Sequence, residues 1–351
     1  MANADSAAPK VGNVLEISDL SVSYSQGIGR PRLKAVQGVN LSVAPGETLS
    51  IVGESGSGKS TIGSAILGLN HIDSGSIRLN GEEIAGVTGR GRRGVSARLQ
   101  AVFQDPYSSL DPARTIRDSV SEPLRAEKGL SPIDVRERVD EVLRRVGVDP
   151  TLASRYPSAF SGGQRQRISI ARALVRKPAL VVCDEAVSAL DVSVQAQVLN
   201  LLDELQEEAS TSYVFISHNM AVVRHISDRI VVLYRGRVME EGPAEDVADR
   251  PAHPYTRSLL AAVPVPDVPA QRARRTARAA ATTRTEFAPI DGVGCPFAPR
   301  CPLAQARCVA ATPDLVEFAP GRKAACVRIE ESFALDQGEG VALNTLDVVS
   351  A

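Results

Sequence analysis

The stretch ETLSIVGESGSGKST, residues 47–61, decides the fold. Its first half is an apolar run of strand length. Its second half fits G-x-x-x-x-G-K-[ST], with Gly53, Gly58, Lys59 and Ser60 in the required places. A strand, a glycine loop and a helix in this order make a phosphate cradle. The glycines let successive backbone N–H groups converge on phosphate oxygens, and the following helix adds the positive end of its dipole. Gly53, Glu54, Ser55, Gly56, Ser57, Gly58, Lys59, Ser60 and Thr61 are therefore read as holding a nucleoside triphosphate. Lys59 neutralises its β and γ phosphates, and the Ser60 hydroxyl is a ligand for Mg²⁺.

On the N-terminal side, residues 14–24 and 35–43 alternate apolar and polar positions, which predicts two half-buried strands before a turn at Ala44-Pro45-Gly46. On the C-terminal side, Ser131-Pro132 followed by Asp134 predicts a helix start. Val135, Val139, Val142, Leu143 and Val146 mark one apolar helical face that ends at Gly147. Residues 105–175 read as a helical insert. ALVVC from 179, SYVFIS and RIVVLY are short β-branched runs suited to buried parallel strands. Alternating β and α units imply an α/β sheet with crossover helices. Residues 264–291, rich in Pro, Ala, Thr and Arg, read as a linker before a compact Cys-containing extension, and the chain from 336 reads as a disordered tail.

The totals narrow the classes. Of 351 residues, 43% are hydrophobic, enough for a substantial core, and 40 basic side chains nearly cancel 41 acidic ones. That balance argues against a surface built for nucleic acid, so no nucleic-acid partner is expected. The opening lacks the apolar core of a leader, and no run of about 18 apolar residues occurs. The expected location is the cytoplasm, with any membrane role coming through a partner.

Four further motifs complete a triphosphate-cleaving site. LVVCDE, residues 180–185, is an apolar strand delivering carboxylates at its C-terminal end. Asp184 is read as a Mg²⁺ ligand and Glu185 as the general base that polarises water. Gln104 in AVFQDP sits where the strand side meets the helical insert, able to touch Mg²⁺ and water. His218 in ISHN follows another buried strand and is placed to orient the water or meet the γ-phosphate. Tyr24 ends the first strand and offers a ring for adenine to stack on. Finally, FSGGQRQR, residues 160–167, is a second Ser/Gly turn opening a helix, but it has no lysine. Ser161, Gly162, Gly163 and Gln164 cannot hold a nucleotide alone. In a head-to-tail dimer they would cap the γ-phosphate held by the other subunit's loop.

Taken together, GESGSGKST, Gln104, FSGGQRQR, LVVCDE, SALD at 188–191 and His218, in this order and spacing, resemble the ATP-binding-cassette ATPases over residues 14–250. The resemblance implies a P-loop nucleotide-binding domain with a helical subdomain at about 105–175, ATP and Mg²⁺ as ligands, and a signature acting in trans. It also implies an aspartate at the dimer contact, Asp191. Phe160 stands where the family's signature opens with leucine. HPYTRSLLAAVPVPD at 253–267 and GCPFAPRCPLAQARC resemble the C-terminal region of the oligopeptide and dipeptide importer ATPases, a group including nickel importers, so 251–335 is assigned to that region. This implies a peripheral subunit on the cytoplasmic face of the membrane. Its partners would be two permeases, a second ATPase or another copy of itself, and, indirectly, an external binding protein. The alternative reading is a soluble cassette ATPase acting on nucleic acid or ribosomes.

Cys295, Cys301, Cys308 and Cys326 match neither zinc-ribbon nor ferredoxin spacing, so the residues alone leave zinc, an iron–sulfur cluster and free thiols open. The resemblance implies a [4Fe–4S] cluster on these four. Cys183, inside a predicted strand, is read as a small core residue.

Overall fold

A computed structural model describes residues 12–262 except 28, residues 287 and 289, and residues 292–334. Nearly all of the anticipated linker and the whole of the anticipated tail lie outside the described residues. β1 (Leu15–Tyr24) and β2 (Leu33–Val43) are the two expected half-buried strands, and they pair antiparallel with one face buried. β3 (Thr48–Val52) leads through the glycine loop into α1 (Lys59–Ile66). β4 (Ser74–Leu79) and β5 (Glu82–Glu83) complete a four-stranded antiparallel sheet in the order β2-β1-β4-β5.

α2 (Gly89–Arg98) runs into β6 (Leu99–Phe103), and the chain then enters its helical part with α3 (Ile116–Ser121), α4 (Pro132–Arg145) and α5 (Gly162–Leu174). α4 starts where its sequence signals it. Ser131 Oγ accepts from Asp134 N at 3.2 Å while Asp134 returns a bond to Ser131 N at 2.9 Å, a reciprocal cap worth about 1 kcal/mol. Val139, Val142, Leu143 and Val146 are all buried, so the apolar face read from the 3.6-residue period is the face that packs.

β7 (Leu180–Asp184), α6 (Val192–Ala209), β8 (Ser212–Ser217), α7 (Met220–Ile226) and β9 (Arg229–Tyr234) return the chain to the large sheet, where β6, β7, β8, β3 and β9 run parallel. Each strand is apolar on both faces because each face meets a different core. Leu180, Val182, Val214, Ile216, Val231 and Leu233 pack toward the antiparallel sheet, while Val181, Cys183, Tyr213, Phe215, Ile230 and Val232 pack toward the helices.

β10 (Arg237–Pro243) continues the sheet antiparallel to β9, and α8 (Ala244–Asp249) and α9 (Pro254–Ala261) follow. The C-terminal extension then adds β11 (Val316–Ala319) and β12 (Arg322–Ala324) to the sheet edge. Sequence pattern concealed this edge because its buried positions carry charge. Glu240 is fully buried. It accepts from Ala252 N (2.7 Å) and His253 N (2.9 Å) and lies 3.7 Å from Arg322, itself buried. Glu241 is ion-paired with Arg229. Charges satisfied in this way are compatible with a core, but no hydrophobicity rule finds them.

One charge in the fold is poorly satisfied. Asp203 on α6 has its carboxyl pushed up to about 6, chiefly by burial; nearby His225 opposes this, and Glu207, Asp228 and Glu204 each add a smaller push upward. A carboxyl whose folded pKa is raised stabilises the fold only below its unfolded value and loses that contribution as pH rises through 6. Asp203→Asn is therefore expected to raise stability at pH 7.5 by about 1 kcal/mol, a figure discounted for partial exposure. The gain should vanish at pH 4, as read by melting temperature against pH for both chains.

Candidate nucleotide site

Register places the site. Phe103 pairs with Asp184, Asp184 with Ile216, and Ser217 with Val52, so the carboxyl ends of β6, β7, β8 and β3 form one row. One residue beyond that row stand Gln104, Glu185, His218 and Gly53. This is the edge at which open parallel sheets bind ligands. Four residues far apart in sequence reach it because four parallel strands end together.

The glycine loop depends on glycine for two of its turns. Gly53 and Gly58 have φ of 154° and 108°, and a Cβ would come within 2.1 Å of Leu233 O at the first and 2.3 Å of Ala35 O at the second. Ser55, Gly56 and Ser60 are exposed on the outer side of the loop, while Ser57 is buried with its hydroxyl unpartnered by protein. Lys59 is buried, and its Nζ donates to Gly53 O (2.8 Å) and Glu54 O (3.0 Å). Burial lowers its pKa, partly offset by Glu185 and Asp184. The ammonium is thus held inside the loop where an anion would meet it.

Ser60 Oγ donates to Asp184 Oδ1 at 3.1 Å, so the two oxygens expected on Mg²⁺ already lie side by side. Burial raises the Asp184 pKa, the Ser60 bond opposes it, and Glu185 adds to it. A half-buried carboxylate next to a second carboxylate suits a divalent cation, and the donor set of hydroxyl, carboxylate and the Gln104 amide is all oxygen, as Mg²⁺ requires.

Glu185 adopts a left-handed backbone, φ 50°, held by its own N–H to Ile216 O (2.9 Å) and by Ser188 N to its carbonyl (3.1 Å). That turn leaves its carboxylate 3.1 Å from His218 Nδ1. The sequence reads Glu185 as the base acting on the water and His218 as meeting that water or the γ-phosphate, and the structure brings the two side chains into contact. Tyr24 Oη donates to Thr61 Oγ1 (3.3 Å) and accepts from Asn70 Nδ2 (2.8 Å), which leaves the ring partly exposed beside α1.

The signature stands apart. Ser161 caps α5 reciprocally with Gln164, and no hydrogen bond among the described residues joins 160–164 to the glycine loop. Asp191 likewise caps α6, accepting from Val194 N at 3.0 Å. Ser161, Gln164 and Asp191 are exposed, and the two helix starts lie against each other where Gly163 meets Val194. Gln166, absent from the sequence reading, is fully buried and donates to Ala186 O at 2.6 Å, tying the signature helix to the turn after Glu185. A glutamine on an otherwise apolar helical phase was the available signal.

Cys295, Cys301, Cys308 and Cys326 line one small cavity with His253 and Leu303. All are free thiols. Burial pushes Cys295 up to about 11 and Cys301 up to about 12, and raises Cys326 as well. Among the described residues no group of three or more His, Cys, Asp or Glu side chains is gathered tightly enough to hold a metal ion. The four thiols share a cavity, but the expectation of a bound metal or cluster finds no support among the described residues. Cys183 is fully buried in β7, its thiol pushed up to about 12 by burial, as befits a core residue.

Comparison with known proteins agrees with this geometry. The family described as ABC transporter matches residues 36–188, and the oligopeptide/dipeptide transporter C-terminal region matches 239–308. A probable peptide ABC transporter ATP-binding protein, y4tS of Sinorhizobium fredii, is 49% identical over 84% of this chain and 83% of its own length. The oligopeptide transport ATP-binding protein OppF of Salmonella typhimurium is 44% identical over 90% of this chain and 96% of its own. Among solved structures, cbiO1 of Clostridium perfringens, part of an ABC transporter complex, superposes with a TM-score of 0.60 at 29% identity, covering 67% of this chain and 90% of that one. A dimeric ATP-binding cassette in a post-hydrolysis state with ADP and Pi gives the same TM-score, covering 66% and 98%.

Proposed function

The chain belongs to the ABC transporter ATP-binding proteins, in the branch that carries the oligopeptide/dipeptide transporter C-terminal region, and from that premise we propose how it works. It is an ATPase, the subunit that powers peptide import. The observation carrying this reading is the row of Gln104, Glu185, His218 and Gly53 beside a buried Lys59. The loop N–H groups and Lys59 hold the β and γ phosphates. Ser60, Asp184 and Gln104 would hold Mg²⁺, which supplies charge neutralisation at the phosphates when bound. Glu185 takes the proton of the attacking water, with His218 keeping its carboxylate in place. Tyr24 receives the adenine.

Ser161, Gly162, Gly163 and Gln164 complete the site of a second subunit, and Asp191 lines that contact. ATP then joins two subunits and hydrolysis separates them, a cycle suited to driving two permeases between conformations. No helix among the described residues is long and apolar enough to cross a membrane, so attachment at the cytoplasmic face would run through those permeases. The second ATPase is either another copy or a related chain, and an extracytoplasmic binding protein selects cargo. We also assign a [4Fe–4S] cluster to Cys295, Cys301, Cys308 and Cys326. The four thiols share one cavity, and a cluster takes one thiolate per iron, a wider spacing than a single ion.

One preparation tests these readings. The tagged chain, purified anaerobically from its native membranes in mild detergent, should bring down two permeases and show the broad visible absorption of an iron–sulfur protein, lost on exposure to air. Ribosomes or DNA-repair proteins without any permease would sink the importer reading in favour of a soluble cassette. A colourless, iron-free product would remove the cluster.

A further inference from the structure

We propose that Tyr255 and Arg300, from the C-terminal extension, are positioning residues for ATP, acting through Glu54 to set the shape of the phosphate loop. Glu54 is the second residue of that loop, and it is gripped at three groups. Its N–H donates to Tyr255 Oη at 2.9 Å. Its two carboxylate oxygens each accept from Arg300 at 2.9 Å, a bidentate fork. Its carbonyl accepts from Lys59 Nζ at 3.0 Å. The residue on which Lys59 rests is thus the residue that the extension fixes, across 246 positions of sequence.

The grip comes from a rigid source. Tyr255 is fully buried, with its ring 4.5 Å from that of Tyr234 and 5.4 Å from that of Phe297. Phe297 also carries the Arg300 guanidinium over its face at 5.5 Å. Beneath them the extension is locked to the sheet by buried Glu240 and by Arg322, whose guanidinium lies 5.0 Å and 5.1 Å from the rings of Phe318 and Phe333. A phenol and a guanidinium held this firmly deny the loop its alternative conformations. The Arg300–Glu54 pair is half-exposed, and such pairs add little stability. Its effect falls on the loop, and therefore on nucleotide binding.

The test uses the full chain and rests on the ATPase reading only in requiring that the parent bind ATP. Tyr255→Phe and Arg300→Gln are each expected to weaken ATP binding and raise KM about three- to tenfold while leaving kcat within about twofold, the pattern of lost ground-state binding. The melting temperature of Arg300→Gln should stay near the parent's, while Tyr255→Phe, which leaves the Glu54 N–H without its partner, should lower it by no more than about a few degrees. Glu54→Gln combined with Arg300→Gln should be no worse than either change alone, since both break one contact. The charge-reversed pair Glu54→Arg with Arg300→Glu should recover part of the affinity that Arg300→Glu loses. Unchanged ATP affinity and KM in both single variants of an ATP-binding parent overturn the proposal alone, as does a fall in melting temperature without a change in KM. A parent that binds no ATP overturns the ATPase reading and the proposal with it.

Discussion

Glu185→Gln is expected to reduce ATP turnover by about 10²- to 10⁴-fold while leaving ATP affinity close to that of the parent. The amide keeps the size of the side chain and the hydrogen-bonding reach to His218 Nδ1, now 3.1 Å from the carboxylate, but it cannot accept the proton of the attacking water. The left-handed backbone at residue 185 is held by main-chain bonds to Ile216 and Ser188, so the substitution leaves the turn intact. Nucleotide is gripped elsewhere, by the loop and Lys59. Binding and chemistry should therefore separate cleanly, and the variant should accumulate as an ATP-bound dimer, seen as a concentration-dependent increase in mass on adding ATP. Turnover within tenfold of the parent would show that another group takes the proton.

That separation was legible in the sequence because each part of the site sits on a self-contained local pattern. The glycine loop declares itself by spacing, and LVVCDE and ISHN are apolar strands ending in a polar residue, so the strand ends alone predict which side chains reach one edge. The contact between Glu185 and His218 needed the register, which no local pattern contains. The helix starts at Ser131 and Ser161 were readable for the same local reason, since capping is decided within four residues. β10 and β12 were not, because Glu240, Glu241 and Arg322 are buried in ion pairs with partners far away in the chain. The link from Tyr255 and Arg300 to Glu54 was hidden for the same reason. A tyrosine and an arginine in a loosely patterned region carry no hint of the loop they meet. The four cysteines were visible as a group, and the fold adds that they face one cavity.

Gly162→Asp is expected to lower ATP turnover at least about 100-fold without weakening ATP binding to the single subunit and without destabilising the fold. The position of residue 162 decides this. It is the first residue of α5, where a carboxylate favours the helix dipole, and a Cβ there would meet the Tyr107 side chain no closer than an ordinary 3.5 Å. The neighbouring Gly163 would be a poor test, because a Cβ there lies 2.6 Å from Val194 Cγ1 and would disturb packing whatever its role. At 162 the chain itself should tolerate or welcome the acid. If the α5 N-terminus faces a γ-phosphate held by a partner's loop, the new charge opposes that phosphate directly, and like charges brought together cost several kcal/mol. Melting temperature would then hold or rise while ATP-driven dimer formation and turnover collapse. Turnover at the parent's level would mean that the signature never meets the phosphate, and that the site is complete within one chain.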